Sequence, residues 1–255
     1  MLPAREDLEA IATRAGRLAL RHFRHVAPER KADKTLVTAA DREVEALLVG
    51  ELARLLPDAG VIGEEGTTRD TAGAYRLVLD PIDGTAAFVA GLPTWCICIG
   101  ILEDTRPAAG VVHLPCLGET YSALGGRAWL DGVPLPTLAS RPRTVGDRFI
   151  VTHARAHARH LITYPGKVRS LGSTAYHVAL VARGAADAAL LGHAHLWDLV
   201  APGAILESVG GGYEYLHGGR VDLGTLADGV RAPDHVIAGA ADGIAAVRPL
   251  IRDPA

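Results

Sequence analysis

Of its 255 residues the chain spends 3 on cysteine, 1 on methionine and 5% on aromatics, and it has only three lysines, Lys31, Lys34 and Lys167. Cys96, Cys98 and Cys116 are odd in number and lie at no metal-ligand spacing, which argues against a disulfide framework or a thiolate zinc site. A chain of this length builds its core without such staples, and a reducing, cytoplasmic setting is expected. Neither sign of charge dominates: 26 Lys+Arg face 29 Asp+Glu, for a net −3. With no basic excess and no basic patch interleaved with aromatics, nucleic acid is not an expected partner. No signal-peptide pattern opens the chain, since Glu6 and Asp7 precede any apolar run. The stretch Gly84 to Leu102 carries no charge, yet Gly91, Pro93 and Gly100 break it. It reads as a motif loop entering a buried strand rather than a membrane span, and no membrane partner is expected.

What is present is an ordinary globular balance, 49% hydrophobic and 22% charged, which excludes disorder, collagen-like repeats and coiled coil. Leu8, Ile11, Ala12, Ala15, Leu18 and Ala19 recur at helical spacing, as do Val44, Leu47, Leu48, Leu52 and Leu55, so two amphipathic helices are expected near the N-terminus. Val61–Gly63 and Tyr75–Leu79 read as strands that run into carboxylates. From Trp95 to Leu130, short strands separated by turn chemistry, including Asp131-Gly132, predict an antiparallel meander. The proline-rich stretch Pro134 to Pro142 is the expected seam of a single catalytic domain, 1–255, with an N-terminal α+β half (1–138) and a C-terminal α/β half (139–255). Beyond the seam, strand and helix alternate: strands at Phe149–Val151, Val168 and Ala186–Leu191, helices after His153, over Thr174–Arg183 and after Pro202.

The chemistry concentrates in Leu77-Val-Leu-Asp80-Pro-Ile-Asp83-Gly84-Thr85, an apolar strand ending in two aspartates three residues apart. Pro81 holds Asp80 extended and is expected to stop the ladder. Gly84 permits close backbone approach, and the N–H groups of Gly84 and Thr85 would face an anion if they open a helix. Glu64-Glu65 follows another apolar strand, and Asp198 precedes a helix. Asp-Pro and Asp-Gly alone are common turn formers, Glu64-Glu65 alone a solvated loop, and Asp198 alone a helix cap; the whole hexapeptide after an apolar strand is much rarer. Carboxylates that converge without a cation repel and take up protons, so several together imply bound cations. Oxygen-only ligation points to Mg²⁺. The Asp-x-Asp-x-Thr signature of haloacid-dehalogenase phosphatases does not fit, because here the aspartates are at i and i+3.

Lys31 to Asp41, Ile62-Gly-Glu-Glu, Asp80-Pro-Ile-Asp-Gly-Thr-Ala-Ala-Phe-Val-Ala-Gly-Leu-Pro, Arg169-Ser-Leu-Gly-Ser-Thr-Ala and Trp197-Asp-Leu-Val-Ala-Pro-Gly-Ala together resemble the inositol monophosphatase family, within the lithium-sensitive, Mg²⁺-dependent phosphatase superfamily. The resemblance spans essentially the whole chain. It implies a layered αβαβα sandwich, a homodimer, and hydrolysis of small phosphate monoesters with two or three Mg²⁺ ions, inositol 1-phosphate being the leading substrate. Histidinol phosphate, fructose 1,6-bisphosphate and 3′-phosphoadenosine phosphates are the alternatives, and a non-catalytic regulatory protein of the same fold is a further one. By the same resemblance Glu64, Asp80 and the Ile82 carbonyl hold one ion, Asp80, Asp83 and Asp198 a second, and Glu64 reaches a looser third. Asp41 and Thr85 orient the attacking water, with Glu64 in the catalytic set. Asp83, Gly84, Thr85, Gly172, Ser173, Thr174 and Asp198 contact the substrate.

Two positions depart from the family's pattern. Leu191 stands where the animal inositol enzymes carry a glutamate that binds inositol hydroxyls, and Ala86-Ala87 replaces a polar pair. Gly172-Ser173-Thr174 also reads as a helix N-cap. His153, His157 and His160, at i, i+4 and i+7, read as one exposed helix face rather than a metal site. His193 and His195 are candidates for the pocket lining, Cys96 and Cys98 for core packing, Trp197 for fixing the start of the Asp198 helix, and Lys34 for tuning Asp41.

Overall fold

The computed structural model describes residues 1–25, 27–31, 36–138 and 148–254, the side chains of 227 and 228 excepted. Lys34 and the second half of the expected seam lie outside the described residues.

Helices α1 (Arg5–His22) and α2 (Ala39–Leu55) lie on one face of an eight-stranded sheet. Its strands run in the order Val133–Pro134, Arg127–Leu130, Glu119–Leu124, Arg106–Leu114, Cys96–Glu103, Tyr75–Asp83, Gly60–Gly63 and Thr68–Arg69. All neighbours pair antiparallel except Gly60–Gly63 with Tyr75–Asp83, which are parallel. The period-2 alternation assigns the faces. Leu77, Leu79, Ile97, Ile99 and Ile101 turn toward α1 and α2, while Val78, Cys96, Cys98, Leu102 and Val112 turn the other way.

That second face carries α5 (Thr174–Ala182) and α6 (Leu196–Ser208). Beneath them a five-stranded mixed sheet runs in the order Lys167–Arg169, Phe149–Thr152, Ala189–Leu191, Val236–Gly239 and Gly212–Tyr215. Its outer face packs on α7 (Ala241–Val247) through Ile150, Leu190, Ile237, Ile244 and Val247. The layers are therefore helix, sheet, helix, sheet, helix, as the family resemblance implies. No helix among the described residues is long and apolar enough to cross a membrane.

One contact sets how α6 lies on the first sheet. Gly100 and Gly110 are cross-strand partners. A Cβ on Gly110 would come within 2.2 Å of the Ala201 carbonyl oxygen, and one on Gly100 within 2.9 Å of the Ala201 nitrogen. The two glycines form a groove that admits the helix backbone itself, and Val200, Ala201 and Ala204 lie against it.

Several expectations need correction. Pro81 does not end the ladder: pairing shifts between Asp80↔Cys98 and Asp83↔Cys96, and the strand continues to Asp83. The missing N–H of Pro81 is bypassed as the Ile82 N–H donates to Asp80 Oδ1 at 3.0 Å, which makes a bulge rather than a stop. The uncharged stretch contains a short helix, α3 (Thr85–Val89), before the strand Cys96–Glu103 begins. Helix α6 starts at Leu196, not after Pro202, because the N–H of His195 and the Asp198 side chain close a capping box; Pro202 lies inside the helix. The strand expected over Ala186–Leu191 is confined to Ala189–Leu191. His153, His157 and His160 share no helix face: α4 (Ala156–Arg159) is a single turn, and His160 is extended and buried.

Candidate active site

Most of the carboxylates expected at the centre line one cavity of about 400 Å³, whose walls include Glu64, Asp80, Ile82, Asp83, Gly84, Thr85, Gly172, Thr174 and Asp198. Asp80 and Asp83 come from the bulged end of the central strand, Glu64 from the residue after the parallel neighbour Gly60–Gly63, and Asp198 from the first turn of α6. One carboxylate oxygen each of Asp80, Asp83 and Asp198 lies within 4.8 Å of the others. Gly84 turns the chain from strand into α3 at φ 89°, where its missing Cβ also avoids the Gly172 carbonyl oxygen 2.8 Å away.

Each carboxylate is fixed locally. Asp83 Oδ2 accepts from the Ala175 N–H at 2.7 Å and from the Ser173 hydroxyl, and its Oδ1 from the Thr174 N–H at 3.2 Å. Ser173 also caps α5, accepting from the Tyr176 N–H at 3.0 Å, so it serves helix and carboxylate together. Asp198 Oδ2 accepts from the His195 N–H at 2.7 Å. Behind the cavity wall Asp41 is fully buried: its Oδ2 takes the Thr38 N–H at 2.7 Å and the Thr38 hydroxyl at 2.6 Å. Asp41 Oδ1 is left to face the Thr85 hydroxyl at 3.4 Å, and that hydroxyl also lies 3.2 Å from the Ile82 carbonyl oxygen.

The electrostatics are those of an acid cage. Burial pushes the Asp80 carboxyl well above its ordinary range, with Glu64, Asp83 and Asp198 adding repulsion. Asp198 is pushed up likewise by burial and then by Asp83, which Arg231 offsets in part. Burial also raises Asp83, against the donors at Ser173, Ala175 and Thr174. Glu65 is raised to about 7 by burial, with Lys31 opposing. Carboxylates so crowded and desolvated keep their charge only beside a cation. The donor set at the centre is carboxylate oxygen plus the Ile82 carbonyl, which fits a hard divalent cation.

Two contributors were not singled out in the sequence. Lys31 bridges Glu64 at 3.1 Å and Glu65 at 2.8 Å. Glu45, buried on α2, accepts from the N–H groups of Glu65 at 2.8 Å and Thr67 at 3.1 Å, and so holds the loop that carries Glu64. Its signal is the i, i+4 spacing from Asp41, which puts both acids on one helix face. Other expectations fall away from the centre. Leu191 is buried in the apolar core and does not line the cavity. His195 stacks on Trp197 with ring centroids 4.5 Å apart, and His193 lines a different cavity. Cys98 packs in the core as expected, whereas Cys96 also reaches Asp83 Oδ2 at 3.5 Å; burial pushes both thiols up, so they remain protonated.

Comparison with known proteins agrees with this geometry. The inositol monophosphatase family matches residues 4–247. A histidinol-phosphatase of Chlorobaculum parvum is 32% identical, over 79% of this chain and 81% of its own length. A fructose-1,6-bisphosphatase/inositol-1-monophosphatase of Thermotoga maritima is 31% identical, over 78% and 79%. The solved structure of a Thermotoga maritima inositol monophosphatase superposes with a TM-score of 0.78 at 25% identity, over 94% of each chain. Together, the match across nearly the whole chain and the buried carboxylates it encloses place this chain in the inositol monophosphatase family, as a hydrolase of phosphate monoesters.

Proposed function

We propose that the chain is a Mg²⁺-dependent phosphatase that hydrolyses small monoesters, inositol 1-phosphate first among them, by direct attack of water. The observation that carries this is the convergence of Asp80, Asp83 and Asp198 within 4.8 Å, with the Thr85–Asp41 pair beside them. Glu64, Asp80 and the Ile82 carbonyl would hold one ion, Asp80, Asp83 and Asp198 a second, and Glu64 a looser third. When bound, such ions neutralise the phosphate and lower the pKa of water.

The chain's own part is positioning. Asp41 Oδ2 is saturated by Thr38, so Oδ1 is the acceptor toward which the Thr85 hydroxyl hands its hydrogen bond, leaving the Thr85 oxygen to orient a water. Gly84, Gly172 and Thr174, on the cavity wall, bring backbone close to the ester, while Ser173 holds Asp83 from behind. No side chain needs to accept the phosphoryl group, so turnover proceeds without a phosphoenzyme. Trapping one would overturn this reading.

The test is phosphate release from inositol 1-phosphate, histidinol phosphate, fructose 1,6-bisphosphate and 3′-phosphoadenosine 5′-phosphate with Mg²⁺, with and without Li⁺. The reading expects Mg²⁺-dependent release, fastest from inositol 1-phosphate and suppressed by Li⁺. Fastest release from histidinol phosphate would transfer the assignment to that substrate. The reading further takes the protein as one catalytic domain forming a cytoplasmic homodimer; light scattering and a single cooperative unfolding transition test the dimer and the domain.

A further inference from the structure

Four imidazoles from four separate segments meet at the edge of the second sheet. His153 follows the strand Phe149–Thr152, His160 follows α4, His193 follows Ala189–Leu191, and His235 precedes Val236–Gly239. His235 is the hub: its ring centroid lies 5.1 Å from that of His153, 4.6 Å from His160 and 4.5 Å from His193. One ring nitrogen each of His153, His160 and His235 lies within 4.8 Å of the others. His153, His193 and His235 border a cavity of about 220 Å³.

The His160 side chain is only 2% exposed, and neither of its ring nitrogens has a hydrogen-bond partner; nor has the buried Nε2 of His153. Buried polar atoms are almost always paired, so three unpaired nitrogens in one cluster call for a ligand that takes nitrogen donors. We propose that His153, His160 and His235 bind one Zn²⁺ ion, the adjoining cavity leaving room for a fourth, exchangeable ligand. Imidazole suits this borderline-soft ion, whereas the carboxylate cavity suits a hard one. None of the four histidines lines that cavity.

Asp253 Oδ1 lies 3.3 Å from His160 Nδ1 but makes no hydrogen bond to it, so either nitrogen of His160 is available as the ligand. The other Asp253 oxygen is held by His217 Nε2 at 3.1 Å, and Asp234 holds His217 Nδ1 at 3.0 Å. His193 Nδ1 donates to the Ala232 carbonyl at 2.9 Å, which fixes that ring on the wall of the cavity. An ion here would tie three segments together, those that carry His153, His160 and His235. Arg155, Arg159 and Arg231 line the same cavity, so inorganic phosphate is the competing occupant.

The test uses the full chain, freed of any histidine tag, stripped with chelator and kept in excess Mg²⁺. Titrated Co²⁺ should give an intense visible spectrum of tetrahedral nitrogen ligation at one equivalent, and Zn²⁺ should abolish it. His160→Asn and His235→Asn should lose the band, while Asp80→Asn, in the carboxylate cavity, should keep it. A band that survives His160→Asn and His235→Asn in folded protein would overturn the proposal. So would a faint octahedral spectrum alone, or binding of inorganic phosphate at this cluster in the metal-free protein without any uptake of Zn²⁺.

Discussion

The carboxylate centre is delivered from two sides held by different forces. On the strand side, Asp80 and Asp83 are set by the backbone of a central strand and by directed hydrogen bonds from Ile82, Ser173, Thr174 and Ala175. On the helix side, Asp198 has a single such bond, from the His195 N–H, and is otherwise carried by α6 as it lies over Gly100 and Gly110. The difference teaches that half of this site is local chemistry and half is packing, so the two halves should fail in different ways.

The sharpest break comes on the strand side. Asp83→Ala removes the acceptor on which α5 and the central strand meet and should cut phosphate release by about a thousandfold or more, with circular dichroism unchanged. Near-normal turnover would remove Asp83 from the centre. On the helix side, Gly110→Val drives a side chain into the Ala201 backbone. It should lower stability by about 1–3 kcal/mol and depress kcat as well, because Asp198 moves with the helix. A fall in Tm with kcat intact would show that Asp198 is not positioned by this groove.

Glu45→Ala tests whether the strand side needs support from α2. It strips the Glu65 and Thr67 N–H groups of their acceptor, which should cost about 1–2 kcal/mol and raise the Mg²⁺ concentration needed for half-maximal rate. A pH effect, remote from both sides, serves as a control. Burial holds His113 at about 4, below its ordinary 6.5, with Asp131 opposing and Arg17 assisting. The unfolded chain then takes up a proton that the folded one refuses. The His113 contribution, present above pH 6.5, should be lost as pH falls toward 4, by at most about 1.4 kcal/mol per pH unit. Denaturant midpoints should show this slope, reduced in His113→Gln.

The strand side was also the side legible in the sequence. Asp80-Pro-Ile-Asp-Gly-Thr is contiguous, and an apolar strand ending in it is informative on its own. Its one misreading, the ladder ended by Pro81, arose because a proline forbids its own hydrogen bond but not a bulge around it. The helix side was harder. Pro202 looked like a first-turn residue, since proline is favoured there; the capping box at His195–Asp198 starts α6 earlier. The Gly100–Gly110 groove shows only once the strands are in register. Lys31 and Glu45 find their partners across long stretches of sequence, and the spacing of His153, His157 and His160 conceals that α4 lasts one turn.

The glycine groove has a last consequence, for the spacing of the carboxylates. Because α6 is seated by apolar contact with the first sheet, the depth at which Asp198 meets Asp80 and Asp83 is set by the hydrophobic layer as much as by the charges they carry. The distance between carboxylates on strand and helix is in that sense written in two glycines that carry no charge at all.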